Sequence, residues 1–314
     1  MMLYSIKDNK AGVLVEGQKL LILEAAKKLV PELQNVPVSV SALVAADADY
    51  ISTIEDFIKS PKFDAALKKT LEAKGALLPM AEVQLEAPLS GPRALVAVGM
   101  NYIDHLEEMD TAPPEQPHVF IKSYSSVVGP EADVILPEGH ENMVDWEAEL
   151  AVVIGKTCHK VTADKALDYV FGYTAANDLS ARDWVQQTFD SKTHMDAINS
   201  WCINLLGKQF PTFCPLGPGL VTKSEIQDPT ALQIKCRVNG EVMQSSHTSK
   251  MLFSVAQVIA YVSKFYSLNP GDVILTGTMS GVGYGRNPKI FLKSGDVVEV
   301  EIEKIGILRN IVVS

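Results

Sequence analysis

Residues 144–156 read VDWEAELAVVIGK, a stretch that alternates and then runs apolar like a buried β-strand, yet carries two glutamates, Glu147 and Glu149. Side chains at i and i+2 leave the same face of a strand, so the two carboxylates project together, ~6.6 Å apart by strand rise. At an effective dielectric near 20 that pair repels by ~2.5 kcal/mol before any cost of leaving water. A positive partner between them relieves the repulsion. A hard divalent cation suits an all-oxygen ligand set, which points to Mg²⁺ or Mn²⁺, with Ca²⁺ also compatible. The same residues also fit a half-exposed strand whose acidic side chains face water.

Outward from this stretch, short strands dominate: ALVAVG, HVFIK, DVILP, LQIKCRVNGEV, DVILTGT and DVVEVEIEKIGIL. Turn signals at Asn239-Gly240, Gly271-Asp272 and Gly295-Asp296 predict antiparallel hairpins. Helices are few. The clearest is SKMLFSVAQVIAYVSKFY, with Thr248 or Ser249 as its cap and Asn269-Pro270-Gly271 beyond its end. Residues 1–88 differ in character, with short alternating strands followed by helical periodicity over 51–74, and the Pro and Gly residues of LEAPLSGPR mark a boundary. The expected organisation is a small N-terminal α+β domain over 1–88 and a β-rich catalytic domain over 89–314. The glycines of GVGYG (281–285) follow a strand but open no helix, so they do not read as a phosphate loop.

The 314 residues carry a net charge of −10, with 47% hydrophobic and 21% charged side chains, which describes a globular chain with an acidic surface. Such a surface disfavours nucleic acid and anionic membranes as partners. No apolar run approaches the ~18 residues of a membrane span, and the start lacks the basic and apolar regions of a secretory signal. A cytoplasmic location is expected, or the mitochondrial matrix if a transit peptide has been removed. Cys158, Cys202, Cys214 and Cys236 show no CxxC spacing and read as reduced structural thiols.

Further chemistry sits in four places. Asp178, in GYTAANDLSARDW, stands at the end of an apolar strand and would complete a three-carboxylate oxygen site, or else cap a helix over LSARDW. His105 and Glu108 are spaced i and i+3, which puts them on one helical face as a general-base pair, or as an ordinary surface pair. Lys122 and Lys208 are candidates for neutralising an anionic substrate. Thr276, Gly277 and Thr278 end a buried strand at a turn where backbone N–H groups and a hydroxyl can hold a carboxylate.

Taken in order, GMNYIDH, VDWEAELAVVIGK, GYTAANDLSARDW, TFCPLGPGLVT, CRVNGEVMQSSHTSKM, NPGDVILTGT and FLKSGDVVEVEIEKIGILRN resemble the fumarylacetoacetate hydrolase family, from about Ala94 onward. The segments are most similar to its short, domain-containing members. The resemblance implies an α+β, β-rich fold with a mixed β-sheet roll, a homodimer and a bound Mg²⁺ or Mn²⁺. It implies Glu147, Glu149 and Asp178 as metal ligands, and His105, Glu108, Lys208 and Arg182 as catalytic. It further implies Lys122, Thr278, Gly277 and Tyr102 as contacts of a small anionic 2-oxo acid substrate.

This sequence departs from the family pattern in places. Val185 stands where hydrolytic members often have a glutamine that helps to stabilise developing negative charge, with Gln186 next to it. Ser123, Met279 and Pro211 replace other common residues, and 186–200 is longer than the usual link. It is placed to line the pocket or a dimer contact, with His194 within it. The leading expectation is metal-assisted C–C cleavage of a small 2-oxo or 2,4-dioxo acid, by an oxaloacetate-type decarboxylase or an acylpyruvate-type hydrolase. The alternatives are a keto–enol tautomerase of such acids, a sugar-acid dehydratase and a degenerate dimeric scaffold.

Overall fold

A computed structural model describes residues 1–16, 18–89 and 91–314. Their strands form three sheets, of twelve, five and two strands. Strand Ala148–Ile154 is buried along its whole length at the centre of the largest sheet. It is flanked by Val170–Asn177 and Val273–Leu275, both antiparallel to it. Leu95–Gly99 runs parallel to Val273–Leu275. The sheet is therefore mixed, as expected. A strand buried on both faces needs apolar residues at every position, which is why AELAVVI does not alternate beyond Glu149.

The N-terminal strands join this sheet: Met2–Ile6 pairs with Cys214–Thr222 at Leu3↔Leu220, and Lys10–Val15 and Lys19–Ile22 extend outward from it. Residues on both sides of position 88 share one core, in which Leu23, Ile54 and Leu71 pack in the same cluster as Leu95, Ala151 and Leu275. The helical stretch over 51–74 is two helices, Tyr50–Lys59 and Ala65–Ala73. Ser60 is extended, as the residue before Pro61 prefers, and Asp64 caps the second helix by accepting the Leu67 N–H.

Of the turn signals, Asn239-Gly240 makes a hairpin, between Gln233–Val238 and Glu241–His247, with both residues at positive φ. Gly271-Asp272 and Gly295-Asp296 instead lead into strands from irregular chain. A further hairpin joins Val297–Ile302 to Gly306–Val313 within a stretch that reads as one strand in the sequence. The expected cap at Thr248 or Ser249 is also corrected. The helix is Val255–Val262, closed by a Ser254–Gln257 capping box, while Thr248–Lys250 form a separate 3₁₀ turn and Leu252 donates its N–H to the Asn101 carbonyl. Among the described residues no helix is long and apolar enough to cross a membrane.

Candidate metal and active site

The ends of four neighbouring strands deliver the site. Glu149 is on the first turn of pleat of Ala148–Ile154, and Glu147 precedes that strand, its N–H donated to the Asn177 side chain at 2.9 Å. Asp178 directly follows Val170–Asn177 and donates its N–H to the Glu147 carbonyl. It caps no helix, since Ser180–Ala181 continues as strand. Glu147, Glu149 and Asp178 are all buried, and one ligand oxygen from each lies within 4.8 Å of the others.

Three cations face these carboxylates. The Lys208 ammonium bonds Glu147 Oε2 at 2.5 Å and Asp178 Oδ2 at 2.7 Å. Lys122, fully buried, sits 2.6 Å from Asp178 Oδ1. Arg182 spans Asp145 at 3.0 Å and Glu147 at 2.6 Å. Burial alone would push Glu147 up, but Lys208 and Arg182 outweigh it and hold its carboxyl at about 2. Glu149 has no such partner. Burial, then the neighbouring Asp178 and Glu147 charges, raise its carboxyl well above the ordinary range, and the Gly277 N–H at 2.6 Å only partly compensates. A buried carboxylate trio left one positive partner short fits a divalent ion, whose charge would serve Glu149 most.

Across the cavity, His105 stands on helix Ile103–Glu108, with its Nδ1 3.0 Å from Glu108 Oε2. Glu108 Oε1 accepts the Gly281 N–H at 2.8 Å. An Nδ1–H held by a carboxylate leaves Nε2 as the proton acceptor. The GVGYG turn is thus part of the site, as a support rather than a phosphate cradle. Its backbone also caps Asp145, through the N–H groups of Gly283 at 2.6 Å and Tyr284 at 3.0 Å. At Gly285 a Cβ would lie 2.5 Å from the Glu108 carboxyl carbon. Gly285→Ala is therefore expected to swing Glu108 off His105 and lower kcat by up to about 100-fold. Steady-state kinetics beside a metal titration check this, with metal affinity unchanged.

The cavity holds about 440 Å³ and is lined by the carboxylate trio, His105, Arg182, Lys208 and Thr278. Three residues expected to touch substrate lie behind this lining. Tyr102 is wholly buried, bridged to Met251. Lys122 backs Asp178 from outside the cavity, and the Gly277 N–H is committed to Glu149. Thr278 does belong to the lining, though its hydroxyl donates to the Ala148 carbonyl at 3.0 Å and accepts from the Gln244 side chain at 2.9 Å. Val185 lines the wall, while Gln186 turns outward to Asp190 and Tyr284. His194 is exposed at the start of helix His194–Leu206 and is not part of the lining. Asp145 went unnoticed in the sequence. It stands i−2 from Glu147, so the spacing that singled out the two glutamates extends to it as a third acidic residue in the row.

The fumarylacetoacetate (FAA) hydrolase C-terminal family matches residues 94–313. The human mitochondrial oxaloacetate tautomerase FAHD2B is 46% identical over 272 residues, which cover 86% of this chain and 83% of that protein. Among solved structures, fumarylacetoacetate hydrolase from Exiguobacterium antarcticum is 31% identical with a TM-score of 0.74, covering 100% of this chain and 99% of that one. Maleylpyruvate hydrolase from Sphingobium sp. SYK-6, solved with manganese(II) and pyruvate, is 28% identical with a TM-score of 0.72 and the same coverage.

Proposed function

The chain belongs to the fumarylacetoacetate hydrolase family, and from that premise we propose that it is a divalent-metal-assisted keto–enol tautomerase of oxaloacetate-type 2-oxo acids. The observation that carries the proposal is a histidine oriented by Glu108 that lines the same cavity as three buried carboxylates. Glu147, Glu149 and Asp178 would hold Mg²⁺ or Mn²⁺, and the ion would supply Lewis-acid polarisation of the 2-oxo carboxylate. The manganese and pyruvate named for the Sphingobium hydrolase support an ion of this kind.

His105 Nε2 takes a proton from C3 of the acid while Glu108 stabilises the imidazolium that forms. The C2 oxygen gains a proton in exchange, so the net change is the movement of one proton and no C–C bond breaks. Lys208 and Arg182 offset the negative charge that develops at C2. This reading is preferred to C–C cleavage for two reasons. The relatives named as oxaloacetate tautomerases are the more similar ones, and Val185 with an outward-turned Gln186 leaves an apolar wall where an amide would assist a hydrolytic step.

The test is loss of the enol absorbance of oxaloacetate in the ultraviolet, recorded together with CO₂ release. Tautomerase action requires Mg²⁺ or Mn²⁺, accelerates the absorbance change and releases no CO₂ above background. EDTA, Glu147→Ala and Asp178→Ala should each remove the acceleration, and full activity in any of the three would overturn the metal reading. For location we propose a compartment that keeps thiols reduced, the cytoplasm or, as in the relatives' names, mitochondria. A homodimer is proposed as well, and light scattering checks it.

A further inference from the structure

Two helices of the cavity wall run outward from the metal end, and each leads to an exposed aromatic ring. Arg182 and Lys208 hold the carboxylates at that end. Val185 donates its N–H to the Arg182 carbonyl and opens helix Val185–Phe189, so Val185 and Phe189 follow Arg182 at three and seven residues, on one helical face. On helix His194–Leu206, Leu205 and Trp201 precede Lys208 by three and seven residues, and Lys208 donates its N–H to the Leu205 carbonyl. Seven helical residues span about 10 Å.

All four apolar residues line the cavity. Exposure rises outward along both helices, from 7% at Val185 to 59% at Phe189 and from 7% at Lys208 to 43% at Trp201. The helices pack against each other, so these side chains form one apolar wall that leads from the carboxylates to solvent. Exposed aromatic rings at the mouth of a cavity mark a place for an apolar ligand group. The charges of the lining point the same way. Among the described residues it holds no lysine or arginine besides Arg182 and Lys208, both bound to carboxylates. Apart from the His105–Glu108 pair, only the His118 imidazole is left to meet a second carboxylate on the substrate. At about 440 Å³ the cavity is also of a size that takes ligands larger than a four-carbon diacid.

We propose that this wall receives an aryl group carried on C3 of the 2-oxo acid, so that the site tautomerises phenylpyruvate-type acids as well as oxaloacetate. The inference rests on the tautomerase reading and extends its substrate class. The proton bookkeeping is unchanged: His105 takes a proton from the benzylic C3 and the C2 oxygen gains one, while the ring lies along Phe189 and Trp201 instead of in water.

The experiment compares the Mg²⁺-loaded full chain with Phe189→Ala and Trp201→Ala, which shorten exposed side chains and leave no void in the core. The ratio of kcat/KM for phenylpyruvate to that for oxaloacetate, followed by enol absorbance, is expected to fall about ten-fold in each variant, through KM, as loss of one aromatic contact predicts. Trp201→Arg should lower the ratio further, because its guanidinium attracts the C4 carboxylate of oxaloacetate. An unchanged ratio in both alanine variants overturns the inference, as does an unmodified protein that turns over oxaloacetate but not phenylpyruvate. A second readout is independent of turnover. Calorimetry on the Mg²⁺-loaded protein should show phenyllactate binding about ten-fold more tightly than lactate, with the advantage lost in Trp201→Ala, and equal affinities in the unmodified protein overturn the inference. If neither oxo acid is turned over, the tautomerase reading fails, and the phenyllactate and lactate pair still decides the wall.

Discussion

Glu149→Gln is expected to stabilise the metal-free protein while weakening Mg²⁺ or Mn²⁺ binding about 100-fold or more. The opposite signs follow from one fact, that Glu149 is the carboxylate without a cationic partner. Its amide isostere keeps the shape, can still accept the Gly277 N–H, and removes a buried charge that repels Asp178 and Glu147. The pH dependence has the same origin. The unfolded carboxyl releases its proton near 4.5, whereas the folded one keeps it to higher pH, so the unfolded state binds fewer protons over that interval. Stability of the metal-free protein therefore falls as pH rises above about 4.5 through the folded value, and Glu149→Gln flattens that fall. Saturating Mg²⁺ should raise Tm for the unmodified protein far more than for the variant. Calorimetric scans across pH, with and without metal, measure every part of this. A variant that binds metal normally would remove Glu149 from the ligand set.

His105→Asn should lower kcat by about 10²–10⁴-fold while leaving metal affinity intact. Among the described residues the other imidazole in the lining, His118, has no carboxylate behind it, and an asparagine amide has no basic nitrogen to receive a proton. Glu108→Gln should cost less, about ten-fold. Its amide has one oxygen, which can serve the His105 Nδ1–H or the Gly281 N–H but not both, and it carries no charge to stabilise the imidazolium. Rapid mixing with the enol of oxaloacetate, alongside Mn²⁺ titration, separates the proton-transfer loss from any loss of metal. Equal kcat in His105→Asn and the parent would assign the proton transfer elsewhere.

The carboxylate trio was legible because its signal is local. Charged residues inside a strand that otherwise wants apolar side chains stand out at i and i+2, and Asp178 stands at the end of the next apolar strand. The His105–Glu108 pair was legible for the same reason, at helical spacing. The counter-ions were not placed by any local rule. Lys208 lies 61 residues from Glu147 and Lys122 lies 56 from Asp178, and long apolar stems let such ammonium groups enter a core in ways no sequence window reports. Lys122 thereby changes position, from a group expected to face substrate to one that sits behind Asp178. Tyr102 and Gly277 changed similarly, because their depth depends on how Met251 and Glu149 pack against them.

The arrangement of Lys208, Lys122 and Arg182 also couples metal to protons. The three cations pair with Glu147, Asp178 and Asp145, while burial and the neighbouring carboxylates hold the proton on Glu149 to higher pH. On the proposed reading, a divalent ion that takes Glu149 as a ligand displaces that proton, so metal uptake releases a proton and strengthens as pH rises.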